Sequence, residues 1–166
     1  MQARTLRLSS HLVRTVTGPM WHGPALAELL RDVSSRQASA RPIAGAHTIW
    51  ELVLHTIAWA DIARARLHAE RTGDPTPQED WPAVATDSGA EWTAAVSRLQ
   101  ESYELLATEV RQLDDAVLDA NVAGLDYTVA TLLRGVVEHG TYHGGQIALL
   151  KRALATSNEA SPQTAE

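Results

Sequence analysis

Along most of the chain the apolar residues recur at intervals of three and four rather than alternating, the period of helices that bury one stripe. No convincing strand pattern appears, so an all-α fold is expected. The first segment, about Ala3–Val16, sets Leu6, Leu12, Val13 and Val16 on one side and stops at "TGPMWHGP". Pro24 then stands where a first helical turn accepts proline, which predicts a second short helix through "ALAELLRDV". The first arm therefore reads as a helix broken near Gly18–Pro24. After the loop "SSRQASARPIAGA", Thr48 and Glu51 form a capping-box pattern that opens a helix near Ile49, running to Gly73. The connection "GDPTPQEDWPAVATD" follows, and Ser88 with Glu91 repeats the signature to open "AEWTAAVSRLQESYELLATEVRQL". A turn-rich stretch, "DDAVLDANVAGLDY", leads to Thr128, a candidate N-cap for a last helix from Val129 to about Ala155.

Three long amphipathic helices and a broken one make a four-helix bundle the economical architecture. Loops of about 13–16 residues exceed the 2–8 usual between antiparallel bundle neighbours. At up to ~3.3 Å per residue, "GDPTPQEDWPAVATD" can cross the ~35 Å length of a helix, which permits the two long helices it joins to run parallel. One domain over residues 1–156 is expected, with a polar, disordered tail at 157–166.

Composition narrows the chemistry. The 166 residues include no cysteine, which excludes disulfide scaffolds, thiolate metal sites and cysteine nucleophiles. Net charge is -6 and the 14 Lys and Arg are scattered, so neither nucleic acid nor an anionic membrane surface is an expected partner. A small-molecule or protein partner is expected instead. No signal-peptide-like run and no stretch of ~18 apolar residues occurs, which predicts a soluble cytoplasmic protein. Glycine-rich phosphate loops, G-x-S-x-G and dinucleotide fingerprints are also missing.

Of seven histidines, His11, His22, His47 and His68 sit among polar or turn residues and need no special role. His139 and His143 differ, because four residues on a helix place both imidazoles on one face about 40° apart. His55 lies within "IWELVLHTIAWADI", which is apolar nearly all round and therefore belongs in a bundle interior. An imidazole buried there needs a hydrogen-bond partner or a metal. Gly135, Gly140, Gly144 and Gly145 all fall inside the last helix, each costing about 0.5–1 kcal/mol relative to Ala. Either a ligand or a tightly packed neighbour would account for them.

The site implied is three neutral imidazoles, His55, His139 and His143, around a divalent metal with a fourth position open, the catalytic form of zinc chemistry. Imidazole equally suits nickel, iron or copper. "HGTYH" lacks the glutamate of H-E-x-x-H. Glu51, one turn before His55, is a candidate ligand, outer-shell acceptor or catalytic base, with its capping role as the alternative. Gln146 and Tyr142 flank the pair and are candidates to orient a ligand. Trp50 and Trp59 are expected in the core or as walls of an apolar pocket.

With these residues in place, the chain resembles the DinB (damage-inducible) superfamily of metal-binding four-helix bundles. "WHGPALAELL", "RPIAGAHTIWELVLHTIAW" and "EHGTYHGGQIALLKRAL" carry the resemblance, in that order. It implies up-down-down-up connectivity and a three-histidine site for zinc or nickel, whose ligands fall on His55, His139 and His143. The branch it looks most like is that of bacillithiol transferases and metal-dependent hydrolases. The resemblance also implies homodimerisation and, in some members, a low-molecular-weight thiol cofactor such as bacillithiol or mycothiol. The expected function is thus a metal-dependent enzyme, with thiol-dependent S-transfer to a small electrophile first. Hydrolysis by metal-activated water and a non-catalytic metal-binding stress module are the alternatives.

Overall fold

The computed structural model describes residues 3–85 and 88–159. Among these the regular structure is all-helical: α1 (Ala3–Thr17), α2 (Leu26–Leu30), α3 (Ser35–Ser39), α4 (Ile49–Leu67), α5 (Pro77–Asp80), α6 (Gly89–Gln112) and α7 (Val129–Glu159), with a 3-10 turn at Asp115–Asp119. The four long helices share one core, α1 and α4 each lying against both α6 and α7. α2 packs on α1 and α7, and α3 on α4 and α6. Among the described residues no helix is long and apolar enough to cross a membrane.

Capping chemistry sets most helix starts. Thr48 Oγ1 accepts the Glu51 N–H at 3.1 Å while the Glu51 carboxylate accepts the Thr48 N–H at 2.7 Å, a reciprocal box that satisfies two orphan donors. Ser88 Oγ accepts the Glu91 N–H at 3.1 Å, and Thr128 Oγ1 accepts the Thr131 N–H at 3.2 Å. Each of these caps stands where the sequence placed it.

Other boundaries differ from expectation. α4 ends at Leu67 rather than Gly73, because Ala69 adopts φ 55° and the chain closes a Schellman motif: the Glu70 N–H reaches Ala65 O at 2.9 Å and the Ala69 N–H reaches Arg66 O at 3.2 Å. An alanine in the left-handed region carries no warning in sequence. Two stretches read as loops hold short helices, α3 behind a Ser34–Gln37 capping box and α5 behind Thr76–Glu79. α7 runs to Glu159, past the expected end at Ala155, so the expected tail begins within its last turn and positions 160–166 lie outside the described residues.

The buried stripe of α1 is also shifted. Leu8, Leu12 and Val16 face the core beside Thr5, Ser9 and Thr15, while Leu6 points outward. The polar members are tolerated because they are bonded: Thr15 Oγ1 donates to His11 O at 2.9 Å, and Arg111 Nε donates to Ser9 Oγ at 3.3 Å. Contacts between elements run in a consistent sense. Near the N-terminus of α1, Arg4 grips Asp119, just beyond α6, through two 2.7 Å bonds, while Thr15 further along lies beside Tyr103 at the position of Gly140. Between α4 and α6, Trp50 meets Trp92 at 5.3 Å and Arg64 Nη2 meets Glu109 Oε1 at 2.6 Å.

At Gly140, α7 packs closely on side chains of α1 and α6. A Cβ there would lie 2.6 Å from Thr15 Cγ2 and 2.8 Å from Tyr103 Oη, so the position requires glycine for helix contact. Gly144 has ordinary contact distances to Leu26 and Leu29, while Gly135 and Gly145 meet nothing within 4 Å. Gly140 and Gly144 therefore serve packing against α1, α2 and α6, Gly145 touches no neighbour, and of the four only Gly135 lines the cavity described below.

Candidate metal centre

His55 on α4 and the His139/His143 pair on α7 meet where those two helices pack. His139 Nε2 lies 2.9 Å from His55 Nε2 and 2.9 Å from His143 Nε2. His55 and His143 are buried and His139 is half-buried. The i, i+4 spacing on α7 supplies two rings of the cluster, and the near-uniform apolarity of α4 turns His55 inward to supply the third.

The outer nitrogens decide what the inner ones can do. His55 Nδ1 lies 2.6 Å from the carbonyl oxygen of Asp80, an acceptor only, so it carries the proton. His143 Nδ1 is 2.7 Å from Gln146 Oε1 and donates to it in the same way. A neutral imidazole protonated at Nδ1 presents a lone pair at Nε2. Two lone pairs therefore flank His139 Nε2, and one proton there could serve only one of them at a time. At least one 2.9 Å contact is left with no hydrogen between its nitrogens, an arrangement that a shared cation relieves. Nitrogens bound about 2.0–2.1 Å from one ion stand roughly 2.9–3.4 Å apart at bond angles of about 90–110°, a range that the two 2.9 Å separations about His139 meet.

Electrostatics point the same way. Burial, with the neighbouring imidazoles His143 and His55 adding to it, pushes His139 down to about 3. Burial likewise lowers His55 against the opposing pull of Asp80, and lowers His143 against the opposing bond to Gln146. All three are neutral near pH 7, the protonation state a metal requires of its ligands.

Around the cluster stand residues that the sequence reading passed over. The connection between α4 and α6 folds back, so that Trp81 stacks on His55 with ring centroids 3.8 Å apart and, on its other face, on His47 at 3.6 Å. Trp59 Nε1 donates to Asp80 Oδ1 at 2.7 Å, and the same oxygen is 3.3 Å from His55 Nδ1. α5 sets this up: Thr76 caps it, Pro77 occupies its first turn and the Trp81 N–H closes onto Pro77 O. The signal for it in the sequence is the T-P-Q-E capping pattern inside the connection.

The structure does not include Glu51 in the cluster. Its carboxylate is engaged by the Thr48 N–H, by Arg41 Nη2 at 2.8 Å and by His47 Nδ1 at 3.3 Å. Burial raises its pKa, but the bonds from Thr48 and Arg41 outweigh that and hold it below the usual carboxylate range. Glu51 joins the site only at a distance, through His47 and Trp81. Gln146 holds His143, while Tyr142 is mostly exposed with its ring 5.1 Å from that of His143. Trp50 is core, packed on Trp92, and Trp59 walls a cavity.

That cavity, of about 450 Å³, opens on His55 and His139, with Trp59, Trp81, Gly135 and Val136 among its walls. A cluster of three convergent imidazoles, polar anchors behind two of them and an apolar cavity in front is the layout of a small-molecule site in a helical protein.

An all-helical chain with a three-histidine cluster of this kind is compatible with a metal-binding protein. The family comparison names the class: residues 21–147 match the model of the DinB superfamily, and the chain belongs to that superfamily. No curated protein and no solved structure gives a match to set beside it.

Proposed function

We propose that the chain is a metal-dependent enzyme that holds one divalent ion, zinc or nickel, on His55 Nε2, His139 Nε2 and His143 Nε2, in a bundle of up-down-down-up connectivity. The observation that carries the metal reading is the convergence of three Nε2 atoms whose outer N–H groups, on His55 and His143, are fixed by Asp80 O and Gln146 Oε1. The connectivity is supported by the pairing of Arg4 with Asp119, Trp50 with Trp92, Arg64 with Glu109 and Arg66 with Tyr127. These pairings favour α1 antiparallel to α6, α4 parallel to α6 and α4 antiparallel to α7.

An ion there would supply Lewis acidity to whatever donor group took its remaining position. The chain's own residues do the rest. Asp80 O and Gln146 Oε1 hold the outer protons and so fix ring orientation. Trp81 covers one face of His55, and Trp59 and Val136 keep that side of the cluster apolar. The leading chemistry is transfer of an external thiol to a small electrophile in the cavity, the sulfur coming from a low-molecular-weight thiol because the chain has no cysteine. Hydrolysis is the second reading, favoured by the Asp80 side chain, a carboxylate that lines the cavity beside His55 and could take a proton from water. Thiol consumption with electrophiles, set against turnover of ester and amide panels, separates the two. A non-catalytic metal module would show neither.

Metal content tests the common premise. Protein purified without chelator should carry about one equivalent of zinc or nickel per chain, and His55→Ala or His143→Ala should lose it while remaining helical by circular dichroism. A wild-type chain that is metal-free and takes up none of either ion would end the proposal. We infer a cytoplasmic homodimer as the working form, and the mass from light scattering tests the dimer.

A further inference from the structure

At the end of the cavity away from the imidazoles stands a buried guanidinium. Arg66, near the C-terminus of α4, is 4 % exposed. It lies on the same helical face as His55 and Trp59, since residues 55, 59 and 66 fall within about 40° of one another around the helix. Its Nη1 donates to Tyr127 Oη at 2.7 Å and its Nη2 to the carbonyl of Gly73 at 3.1 Å, while Nε has no partner among the described residues. The carboxylate paired with it is Asp74, 3.7 Å away on a side chain that is 93 % exposed. A solvated carboxylate at that distance does little to neutralise a charge taken out of water, and a buried cation without a close anion is costly. Such a charge in a cavity wall marks a place for an anion.

The surroundings define the anion further. Trp59 bridges the two ends of the cavity: its ring centroid is 6.5 Å from that of His55 and 5.6 Å from the Arg66 guanidinium carbon. Leu132 and Val136, one helical turn apart on α7, continue the apolar wall. Tyr127 Oη accepts from Arg66 and so has its own hydrogen to donate, and Thr131 adds a hydroxyl at the same end. The Asp80 carboxylate at the other end, held by Trp59, would repel an anion placed next to the imidazoles. A planar carboxylate matches the guanidinium fork.

We propose that the cavity binds a small carboxylic acid as its anion, the carboxylate at Arg66 and Tyr127, the apolar body along Trp59, Leu132 and Val136, and the reacting end at the three imidazoles. Only the assignment of the reacting end rests on the metal-enzyme reading. Isothermal titration of the full chain, metal-loaded and chelator-stripped, with phenylacetate, 3-phenylpropionate and 4-phenylbutyrate and the corresponding amides tests it. At least one acid should bind about tenfold more tightly than its amide, as a charged hydrogen bond in a water-poor site would give. That preference should persist in stripped protein and vanish in Arg66→Gln. Equal binding of acids and amides, no binding by any of them, or a preference that disappears with the metal would overturn the proposal. Should Arg66→Gln not fold, Tyr127→Phe decides: a several-fold loss for acids alone supports the site, and an equal loss for amides refutes it. Metal uptake without acid preference defeats this proposal alone, and acid preference in a chain that takes up no metal defeats the metal reading alone.

Discussion

α7 presents two faces whose residues interleave: His139 and His143 look toward α4, and Gly140 and Gly144 toward α1 and α2. On the glycine face, contact is so close at Gly140 that even a methyl group would have to push Thr15 or Tyr103 aside. On the histidine face, polar atoms converge without enough hydrogens to satisfy them and a cavity opens alongside. The contrast shows that one helix can surrender propensity for packing on one side while the other is left for chemistry. Damage to the two faces should therefore be separable.

The largest expected effect is on the histidine side. Gln146→Ala removes the acceptor that orients His143 and should weaken metal affinity by about 10–100-fold with little change in unfolding midpoint, as read by competition with a chromophoric chelator. An unchanged affinity would mean that Gln146 does not hold His143. On the glycine side, Gly140→Ala should destabilise by about 1–3 kcal/mol in urea unfolding, because the new methyl meets Thr15 and Tyr103, yet leave metal stoichiometry intact. Loss of metal in a folded Gly140→Ala protein would break the comparison.

A smaller effect should follow pH in metal-free protein. His139 sits at about 3 when folded against an ordinary value of 6.5, so below about pH 6.5 the unfolded chain binds a proton that the folded chain refuses. That contribution to stability is complete above 6.5 and falls away as pH drops toward 3, and His55 and His143 shift in the same direction. Urea unfolding between pH 7 and 5.5, above the range where carboxylates titrate, should show a loss that is reduced in His139→Ala; identical slopes would contradict the burial of that ring. The smallest effect is a gain: Gly145→Ala, with nothing within 4 Å of the new methyl, should stabilise α7 by about 0.5–1 kcal/mol in the same assay.

These contrasts also mark what could be read from sequence. The caps at Thr48, Ser88 and Thr128 were legible because capping is local, a few residues satisfying each other's backbone groups. The three histidines were legible because helical spacing and the apolarity of α4 are local too. Trp81 and Asp80 carry no sequence signal for this role because they reach His55 through the path of a connection, and no periodicity encodes a path; His47, given no role in sequence, joins only because Trp81 arrives on it. Arg66 was hidden for a related reason. A basic residue in a last turn is ordinary complement to the helix dipole, and its burial depends on Tyr127 and Gly73 arriving from elsewhere in the chain. Gly140 was noticed but open to two readings, since its partners Thr15 and Tyr103 lie on other helices.

The hydrogen bond that fixes His55 ends on a main-chain carbonyl, that of Asp80. Every amino acid carries that carbonyl, so residue 80 can mutate without erasing the anchor provided the connection keeps its length and its return over α4. A scan of side chains would pass silently over half of what orients this ring, whereas deleting one or two residues between Gly73 and Trp81 would misplace the oxygen at once. For this one bond the length of the connection matters and the identity of residue 80 does not, while the Trp81 ring and the Asp80 carboxylate still act on the site through their side chains.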